Sequence, residues 1–256
     1  VLDLPTLCAE VSTDGTAEVR DRHGVVEVSH LAPALLYWQE AAATAYRLLE
    51  LRGVRVLNGV AASEVADDKG RTAVALVAAG VSQVASTVVP QDRERCARAA
   101  ERTGYPVVLK RTHGAQGRWV RAARDHAELD AVLDLFATEG RGAVVVQPLV
   151  AGAAGASLRL VVVDDRVVAC TRRQAPDGEL QSNVSAGGSQ QLHVPTPAEA
   201  ELAVAATRAV GLRFAGVDLL EGPLVLEVNA APDFTSMRTH VPVDVAREVL
   251  LALLRD

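Results

Sequence analysis

The chain has 256 residues and 49% of them are hydrophobic, which is enough to bury a core in one large domain or two small ones. Its formal net charge of −6, the lack of a long basic run and an aromatic content of 3% argue against nucleic acid as the main partner. The three cysteines are far apart and form no CxxC motif, which indicates a reducing, cytoplasmic setting, and the apolar stretches fall short of the ~20 residues of a membrane span, so no membrane partner is expected.

The first predicted elements are short strands followed by a helix. Residues 1–32 alternate short strands with turns, and a hairpin is expected around Gly24. A helix is predicted from Pro33 to Leu51, because leucine and alanine recur at helical spacing and Gly53 lies beyond its end. A short strand is predicted at 54–58.

The middle of the chain alternates helices with strands. A second helix is predicted from Ser63 to Ala79, where Gly80 ends it, and a strand is predicted at 82–89. The next elements are a charged amphipathic helix at 91–103, a strand at 106–110, a glycine-containing loop, a returning strand at 118–123 and a helix at 125–137.

Antiparallel pairs dominate the second half of the chain. Two long strands are predicted at 157–165 and 166–174, after a strand at 142–150, and a hairpin is predicted at 214–229. A helix begins at Thr196, with proline at its first position and Glu199 three residues after the cap, and another covers 243–254. The class is therefore α/β or α+β, with more hairpins than a doubly wound sheet would have.

The segment "KRTHGAQGRWV" places Lys110 and two glycines, Gly114 and Gly117, between two predicted strands. Such a loop lets backbone N–H groups approach phosphate oxygens closely. It matches neither GxxxxGK[ST] nor GxGxxG. The alternative is an ordinary hairpin with a glycine turn.

Lysine is rare in this chain. Lys69 and Lys110 are its two lysines, against 24 arginines. Because a lysine is a compact point charge and an arginine a planar fork, a phosphate in a tight pocket can require lysine where this composition otherwise uses arginine. The alternative is that both are ordinary surface residues.

Acidic and amide side chains share one strand face in the last predicted hairpin. Glu227 and Asn229 are two residues apart, and the hairpin brings Asp218 beside them on the face that also carries Gly216. Two carboxylates and an amide oxygen suit a hard cation such as Mg²⁺. The alternative is a solvated strand face.

Two arginines precede Asn183 on the neighbouring strands. Arg159 and Arg173 are candidates for steadying a transferred phosphoryl group, because they lie on strands that face the predicted metal site. Surface salt bridges are the alternative for each of them.

In this order the motifs resemble the ATP-grasp superfamily, and most closely the RimK and LysX type of amino-acid ligase. The resemblance covers about residue 58 to the C-terminus. It rests on the segments "ADDKGRTAVALVAAGV", "GYPVVLKRTHGAQGRWV", "VVVQPLVAGAAGASLRLVVVDDRVVACTRRQAPDGELQSNVSAGGS" and "GLRFAGVDLLEGPLVLEVNAAPDF".

The resemblance implies an α+β fold in which two α+β subdomains grip ATP. The ATP-grasp domain would cover 61–256, with a small subdomain at about 86–146 and a large one at about 147–256. A shortened α/β domain would precede it at 1–60. ATP and Mg²⁺, with Mn²⁺ as a possible substitute, would convert a carboxylate to an acyl phosphate, which an amine then attacks to form an amide or peptide-like bond. The partners would be small-molecule carboxylates and amines, and a homo-oligomer is possible.

The resemblance also implies roles for individual residues. Nucleotide binding would use the two lysines, the loop, the stretch that reads adenine and two further positions, namely Lys69, Lys110, His113, Gly114, Ala115, Gln116, Gly117, Gln147, Pro148, Leu149, Val150, Ser157 and Gln181. The magnesium ligands would be Asp218, Glu227 and Asn229. The groups near the reacting phosphate would be Arg173, Asn183 and Arg159.

The chain departs from the RimK pattern at four positions. Ser157 replaces the acid that meets the ribose, Gln181 replaces an arginine, Ala186 replaces the arginine before Gly-Gly, and Pro148 replaces a glutamate. Specificity for glutamate or aminoadipate therefore cannot be carried over. Three alternatives to an intermolecular ligase stay open: a phosphotransferase that stops at phosphorylation, an intramolecular cyclo-ligase and a nucleotide-binding module with reduced catalysis.

Overall fold

A computed structural model of the protein describes residues 7–14, 16–26, 34–35, 38–114, 118–140, 142–150, 155–176, 187–220 and 222–255. Within these ranges the chain forms three antiparallel sheets and one short parallel strand pair, with helices packed against them. Among the described helices, none has the length and apolar character needed to cross a bilayer.

The N-terminal residues form a three-stranded antiparallel sheet. Its strands are β1 (Cys8–Val11), β2 (Ala17–Asp21) and β3 (Gly24–Val25), in that order. The hairpin predicted around Gly24 is confirmed, because Asp21 lies opposite Gly24. Helix α1 (Ala43–Leu51) packs against this sheet and buries Tyr46 and Leu49 in a small core.

The helix predicted from Pro33 to Leu51 is too long at its start. Residues Ala34–Leu35 form strand β4, which pairs in parallel with β5 (Val56–Leu57), and helical structure begins with a 3-10 turn at Glu40–Ala42. A short apolar run is compatible with a buried strand as well as with a helix. Here the segment is a strand because β5 offers it a pairing edge.

The helix predicted from Ser63 to Ala79 is two helices, α2 (Val60–Asp67) and α3 (Lys69–Ala78). Asp68 has extended backbone angles, and its carboxylate accepts hydrogen bonds from the N–H groups of Gly70 (2.7 Å) and Arg71 (3.0 Å). An aspartate in this role is a preferred N-cap. The cap ends one helix, starts the next, and makes Lys69 the first residue of α3.

A four-stranded antiparallel sheet forms the middle of the chain. Its strands, in the spatial order β6-β9-β7-β8, are β6 (Thr87–Pro90), β7 (Val107–Arg111), β8 (Val120–Ala123) and β9 (Ala143–Pro148). Helices α4 (Arg93–Thr103) and α5 (His126–Ala137) begin at the aspartate caps Asp92 and Asp125. They cover one face of the sheet and enclose a core that includes Phe136.

A five-stranded antiparallel sheet follows. Its strands, in the spatial order β12-β11-β10-β13-β14, are β10 (Ala156–Val163), β11 (Arg166–Gln174), β12 (Ser189–Leu192), β13 (Phe214–Leu220) and β14 (Leu224–Asn229). Helix α6 (Pro197–Val210) starts with the predicted capping box between Thr196 and Glu199 and ends at Gly211, which is left-handed. Helix α7 (Val245–Leu254) is the last described element.

The two faces of the five-stranded sheet differ in chemistry because side chains alternate along each strand. One face carries residues such as Leu158 and Leu160 and packs on α6. The other face is apolar at one end, where Val161 packs near α7, and polar at the other, where Ser157 and Arg159 lie. The domain boundaries at residue 60 and at 146–147 stay predictions.

Candidate active site

A cleft separates the four-stranded sheet from the polar end of the five-stranded sheet. It joins residues that the sequence analysis had singled out on four separate elements: Lys69 on α3, Lys110 on β7, Gln147 on β9 and Glu227 on β14. The remaining lining is mostly small or apolar, namely Ala66, Thr72, Ala73, Leu76, Gln83, Ser86, Val145, Leu226 and Val228.

Lys110 is a buried cation without a direct partner. Its side chain projects from β7, and its ammonium group donates no hydrogen bond to a described residue and forms no ion pair with one within 4 Å. The pKa of Lys110 is lowered to about 8, chiefly by burial; the charges of Glu227 and Asp218 oppose this effect, and the charge of Lys69 adds to it. A desolvated ammonium group of this kind favours an anionic ligand.

Lys69 connects three parts of the cleft. Its Nζ atom lies 3.2 Å from Glu227 Oε1 and donates a hydrogen bond to the Gly114 carbonyl at 3.0 Å. Its backbone N–H donates to the Thr112 carbonyl at 2.9 Å. Because Asp68 starts α3 immediately before it, Lys69 is held between the glycine loop and β14.

The described start of the glycine loop packs on a tryptophan. Gly114 has a φ of +134°, and an added Cβ would lie 3.0 Å from Cδ1 of Trp119. The guanidinium of Arg118 lies 5.0 Å from the centre of the same ring. His113 is half exposed, with Nε2 3.8 Å from Asp68 Oδ2. Ala115, Gln116 and Gly117 lie outside the described residues.

The stretch predicted to read adenine leaves β9 beside the cleft. Gln147 is buried and donates through Nε2 to Ser86 Oγ at 2.9 Å, and Pro148 lies opposite Val107 in the sheet. The Leu149 N–H donates to the Pro106 carbonyl at 3.0 Å. The Leu149 N–H is therefore already used, and recognition of adenine by residues 147–150 would need the backbone groups that remain. This role stays a prediction.

The three predicted magnesium ligands lie together, as the strand alternation indicated. Asp218 is opposite Glu227 in the β13–β14 pair, and Asn229 is opposite Gly216. No group of three or more His, Cys, Asp or Glu side chains suited to a metal occurs in the described part of the chain. The candidate set here is two carboxylates and one amide, and its role as a metal site stays a prediction.

Arg159 holds one of those carboxylates. Its guanidinium forms a bidentate pair with Asp218, through Nε to Oδ1 and through Nη2 to Oδ2 at 2.5 Å, and both side chains are buried. Burial alone would raise the pKa of Asp218, but the charge and hydrogen bonds of Arg159 outweigh it and keep this pKa below its ordinary value. Each carboxylate oxygen retains a second lone pair, so Asp218 fits a cation as well.

Gly216 makes room for this pair. A Cβ atom at residue 216 would lie 2.5 Å from Cβ of Pro232 and 3.2 Å from both Cδ and Nη1 of Arg159. The guanidinium of Arg159 therefore passes directly over the glycine backbone. The absence of a side chain at residue 216 therefore allows Arg159 to reach Asp218 and hold its carboxylate.

Arg173 is the second buried guanidinium of the polar face. It is 5% exposed, its Nη1 lies 3.9 Å from Asp218 Oδ1, and its Nε has no hydrogen-bond partner among the described residues. Burial lowers its pKa, and the charge of Arg159 adds to that effect. Ser157 lies opposite Arg173 in the β10–β11 pair. Gln181 and Asn183, like Ala186, lie outside the described residues.

The structure adds residues that the sequence analysis missed. Gln190 lies opposite Arg173 on β12, and Thr171 is fully buried two residues before Arg173. Asp233 also acts on Arg173: burial would raise its own pKa, but hydrogen bonds from Thr235 and the charge of Arg173 hold it low. The alternation of β11 could have indicated Thr171, whereas the pairing of Gln190 needed the register of β12.

Comparison with known proteins identifies the fold family. The profile of the RimK-like ATP-grasp domain matches residues 66–253. Proteins named "Probable alpha-L-glutamate ligase" from Photobacterium profundum and Xanthomonas campestris pv. campestris are 39% and 41% identical over 150 and 152 residues, which is 57% of this chain and 50% of each relative. The chain thus spans about half the length of these curated relatives.

Solved structures of ATP-grasp proteins have the same fold. A RimK domain protein from Sphaerobacter thermophilus DSM 20745 is 26% identical with a TM-score of 0.68, over 83% of this chain and 76% of that one. The ATP-grasp ligase PsnB with its minimal precursor is 23% identical with a TM-score of 0.63, over 83% and 67%. These structures share the α+β fold, and the match over residues 66–253 shows that the chain belongs to the RimK-like ATP-grasp family.

Proposed function

We propose that this chain is an ATP- and magnesium-dependent ligase that joins a carboxylate to an amine. The observation that carries the proposal is Lys110, a buried ammonium group without a direct partner among the described residues, in a cleft that also contains Lys69 and Glu227. Two cations beside a carboxylate suit a polyphosphate that arrives with a divalent cation. An apolar lining on the same cleft suits a purine base.

The nucleotide residues then divide by position. Lys69 and Lys110 neutralise the phosphates, and the loop at 113–118 covers them. Residues 147–150 and Ser157 lie toward the base and ribose. The small subdomain at about 86–146 and the large one at about 147–256 contribute opposite walls, as the positions of Lys110 and Glu227 suggest.

The polar end of the five-stranded sheet carries the side chains that would bind the metal and the reacting groups. Asp218, Glu227 and Asn229 would hold Mg²⁺, with Mn²⁺ as a substitute, because oxygen ligands suit both ions. Arg159 positions Asp218 rather than touching substrate, since its fork is occupied by that carboxylate. The Nε atom of Arg173 has no partner among the described residues, so Arg173 binds the oxygens of the carboxylate that is being activated.

Magnesium–ATP, when bound, supplies the phosphoryl group that turns the carboxylate into an acyl phosphate, from which an amine displaces phosphate to give an amide. The chain itself contributes position and charge. Lys69 and Lys110 offset the negative charge at the phosphates, and the buried arginines exclude water from the reacting carboxylate. No protein nucleophile is required.

The substrate classes are small-molecule carboxylates and amines. Support comes from relatives named as probable glutamate ligases and from PsnB, whose structure contains a precursor. Because Ala186 and Gln181 replace two arginines of the RimK pattern, we propose an amino-acid derivative with fewer charges than free glutamate. An unpaired carboxylate in a closed site costs about 1–3 kcal/mol or more to desolvate.

The test is a phosphate-release screen of amino acids and small peptides in pairs, with magnesium–ATP. A ligase releases ADP and phosphate in proportion to amide, and only when both substrates are present. Phosphorylated carboxylate without amide formation indicates a phosphotransferase instead. Release with a single substrate that carries both groups indicates a cyclo-ligase.

A binding measurement separates a weak enzyme from a wrong assignment. Calorimetry with magnesium–ATP should give a specific site in the wild type and a loss of about tenfold or more in affinity in Lys110→Met, which keeps most of the length of the side chain but removes its charge. Arg124 is exposed and lies outside the cleft lining, so Arg124→Met is the matched control. Equal affinity in all three proteins would contradict the nucleotide site.

A further inference from the structure

Three buried polar atoms lie unpartnered on neighbouring positions of β11 and β12. They are Thr171 Oγ1, Arg173 Nε and Gln190 Oε1, and none has a hydrogen-bond partner in the part of the chain that the structure describes. Thr171 and Arg173 are two residues apart on β11, and Gln190 is directly opposite Arg173. Because side chains alternate along a strand, all three project from the same face of the sheet.

The orientation of the Gln190 amide is fixed by its surroundings. Its Nε2 donates to the backbone carbonyl of Ser236 and lies 3.4 Å from Nδ1 of His240. A carbonyl oxygen only accepts hydrogen bonds, so the amide nitrogen must be the atom that faces Ser236. Oε1 therefore points away from that contact as an acceptor that no described group satisfies.

Native proteins rarely leave adjacent buried polar atoms without partners, since each one loses its hydrogen bonds to water. Here three such atoms belong to adjacent positions beside the Arg159–Asp218 pair. Their clustering points to a ligand that supplies the missing partners. The ligand has to offer an oxygen to Arg173 and an N–H group to Gln190.

The charges around Gln190 favour one protonation state of the ligand's amine. Gln190 is neutral, and the cation of Arg173 faces it across the strand pair. Asp233, a carboxylate that acts on Arg173, accepts hydrogen bonds from the Thr235 N–H (2.8 Å) and from its hydroxyl (2.5 Å). The guanidinium of Arg173 would repel an ammonium ion at this position, whereas a neutral amine can donate an N–H group to Gln190 Oε1. A neutral amine is also the form that attacks a carbonyl carbon.

We propose that Gln190 is the residue that binds the attacking amine: its Oε1 accepts a hydrogen bond from the amine N–H while Arg173 holds an oxygen of the acyl group under attack. This inference rests on the proposed ligase function and names the substrate group at one side of its site. The Thr171 side chain, opposite Arg159 in the β10–β11 pair, completes the floor of this subsite. The favoured second substrate is therefore a primary amine that enters in its neutral form.

The first arm of the test isolates activation of the carboxylate. Hydroxylamine traps an acyl phosphate in solution as a hydroxamate, so it reports activation without needing the amine subsite. The carboxylate is the one found in the substrate screen. Gln190→Met should form hydroxamate at nearly the wild-type rate and bind magnesium–ATP with unchanged affinity.

The second arm measures the amine. With the amine from the same screen, Gln190→Met should raise the KM for the amine by about tenfold, the usual size of one lost hydrogen bond in a closed site, and leave the KM for ATP unchanged. Gln190→Glu should restore amine binding in part and move the pH optimum upward, because a carboxylate stabilises the ammonium form. The neighbouring Gln191 is exposed and points to the opposite face, so Gln191→Met is the matched control.

The outcomes separate the two proposals. If wild-type protein forms neither hydroxamate nor amide, the ligase function is wrong and the subsite with it. If the wild type is amine-dependent but Gln190→Met and Gln191→Met have the same amine KM, the subsite is wrong while the ligase function stands. A parallel loss of hydroxamate and amide in folded Gln190→Met also overturns it, since the residue then acts on activation.

Discussion

Lys69 Nζ lies 3.2 Å from Glu227 Oε1, and this ion pair joins the first residue of α3 to the last strand of the large sheet. Both residues belong to the predicted site, one for phosphate and one for metal. We expect magnesium–ATP to replace the contact, because the phosphates attract Lys69 and the cation attracts Glu227. The pair would then keep the opposite charges of the cleft balanced before the nucleotide enters.

Glu227→Gln should raise the magnesium concentration needed for half-maximal ATP binding by about tenfold or more, because a carboxylate ligand is replaced by a neutral one. The fold should be retained, since the side chain is partly exposed. Calorimetric titrations of ATP at graded magnesium concentrations measure the effect. Glu199→Gln, which alters an acid on α6 outside the cleft, is a control; an unchanged magnesium requirement in Glu227→Gln would contradict the metal assignment.

Nucleotide affinity should fall as the pH rises above about 8, where buried Lys110 loses its proton. Bound phosphate raises the pKa of Lys110 again, so binding at a pH of about 8 should take up about half a proton. Calorimetry in buffers with different ionisation enthalpies measures that uptake. The uptake should vanish in Lys110→Met, and uptake equal to wild type there would assign the proton to another group.

The same group gives a stability prediction. The pKa of Lys110 is lowered from 10.5 to about 8, so between these values the unfolded chain binds more protons than the folded one. The free energy of unfolding of the ligand-free protein should therefore rise with pH from about 8 to 10.5, relative to Lys110→Met. Paired denaturant titrations at several pH values check this difference, and parallel curves for the two proteins would contradict it.

The sequence predicts which candidate site residues lie together better than it predicts their contacts. Strand alternation and one hairpin bring Asp218, Glu227 and Asn229 together, because both signals are local. The contact of Arg159 with Asp218 could not be predicted in the same way, since it depends on the register between β10 and β13. Which of two similar arginines pairs with the acid is decided by distant strands, not by neighbouring residues.

The wrong element boundaries have a similar cause. The apolar periodicity at 63–79 runs through Asp68 without a break, and only the hydrogen bonds of its side chain show that two helices meet there. Aspartate is among the preferred N-cap residues, so Asp68 itself could have indicated a helix start. Strand β4 carried no such signal, because its partner β5 lies about 20 residues later in the chain.

Magnesium–ATP should protect the glycine loop from trypsin at Arg118 more than at Arg111. Arg111 is the last residue of β7 and its guanidinium donates to the carbonyls of Phe136 and Gly140. Arg118 is exposed beside the loop, with Glu139 as its ion-pair partner. Backbone that is less constrained is cut first. Mass spectrometry of timed digests, with ADP and magnesium-free ATP as controls, measures the rates; equal cutting at Arg118 in all conditions would argue against closure over phosphates.

Gly216→Ala should damage the site more than it damages the fold. The new Cβ would lie 2.5 Å from Cβ of Pro232 and 3.2 Å from Cδ and Nη1 of Arg159, so the backbone around Pro232 has to move and Arg159 has to shift against Asp218. Overpacking of this kind destabilises by about 1–3 kcal/mol.

Val217→Ala is a matched control one residue away, because Val217 faces the opposite, apolar core and its truncation costs on the order of 2 kcal/mol without touching Arg159. Both variants should unfold at lower denaturant, but only Gly216→Ala should raise the magnesium requirement for ATP binding. If the two variants lose stability equally and bind magnesium–ATP alike, the Arg159–Asp218 pair does not set the metal geometry.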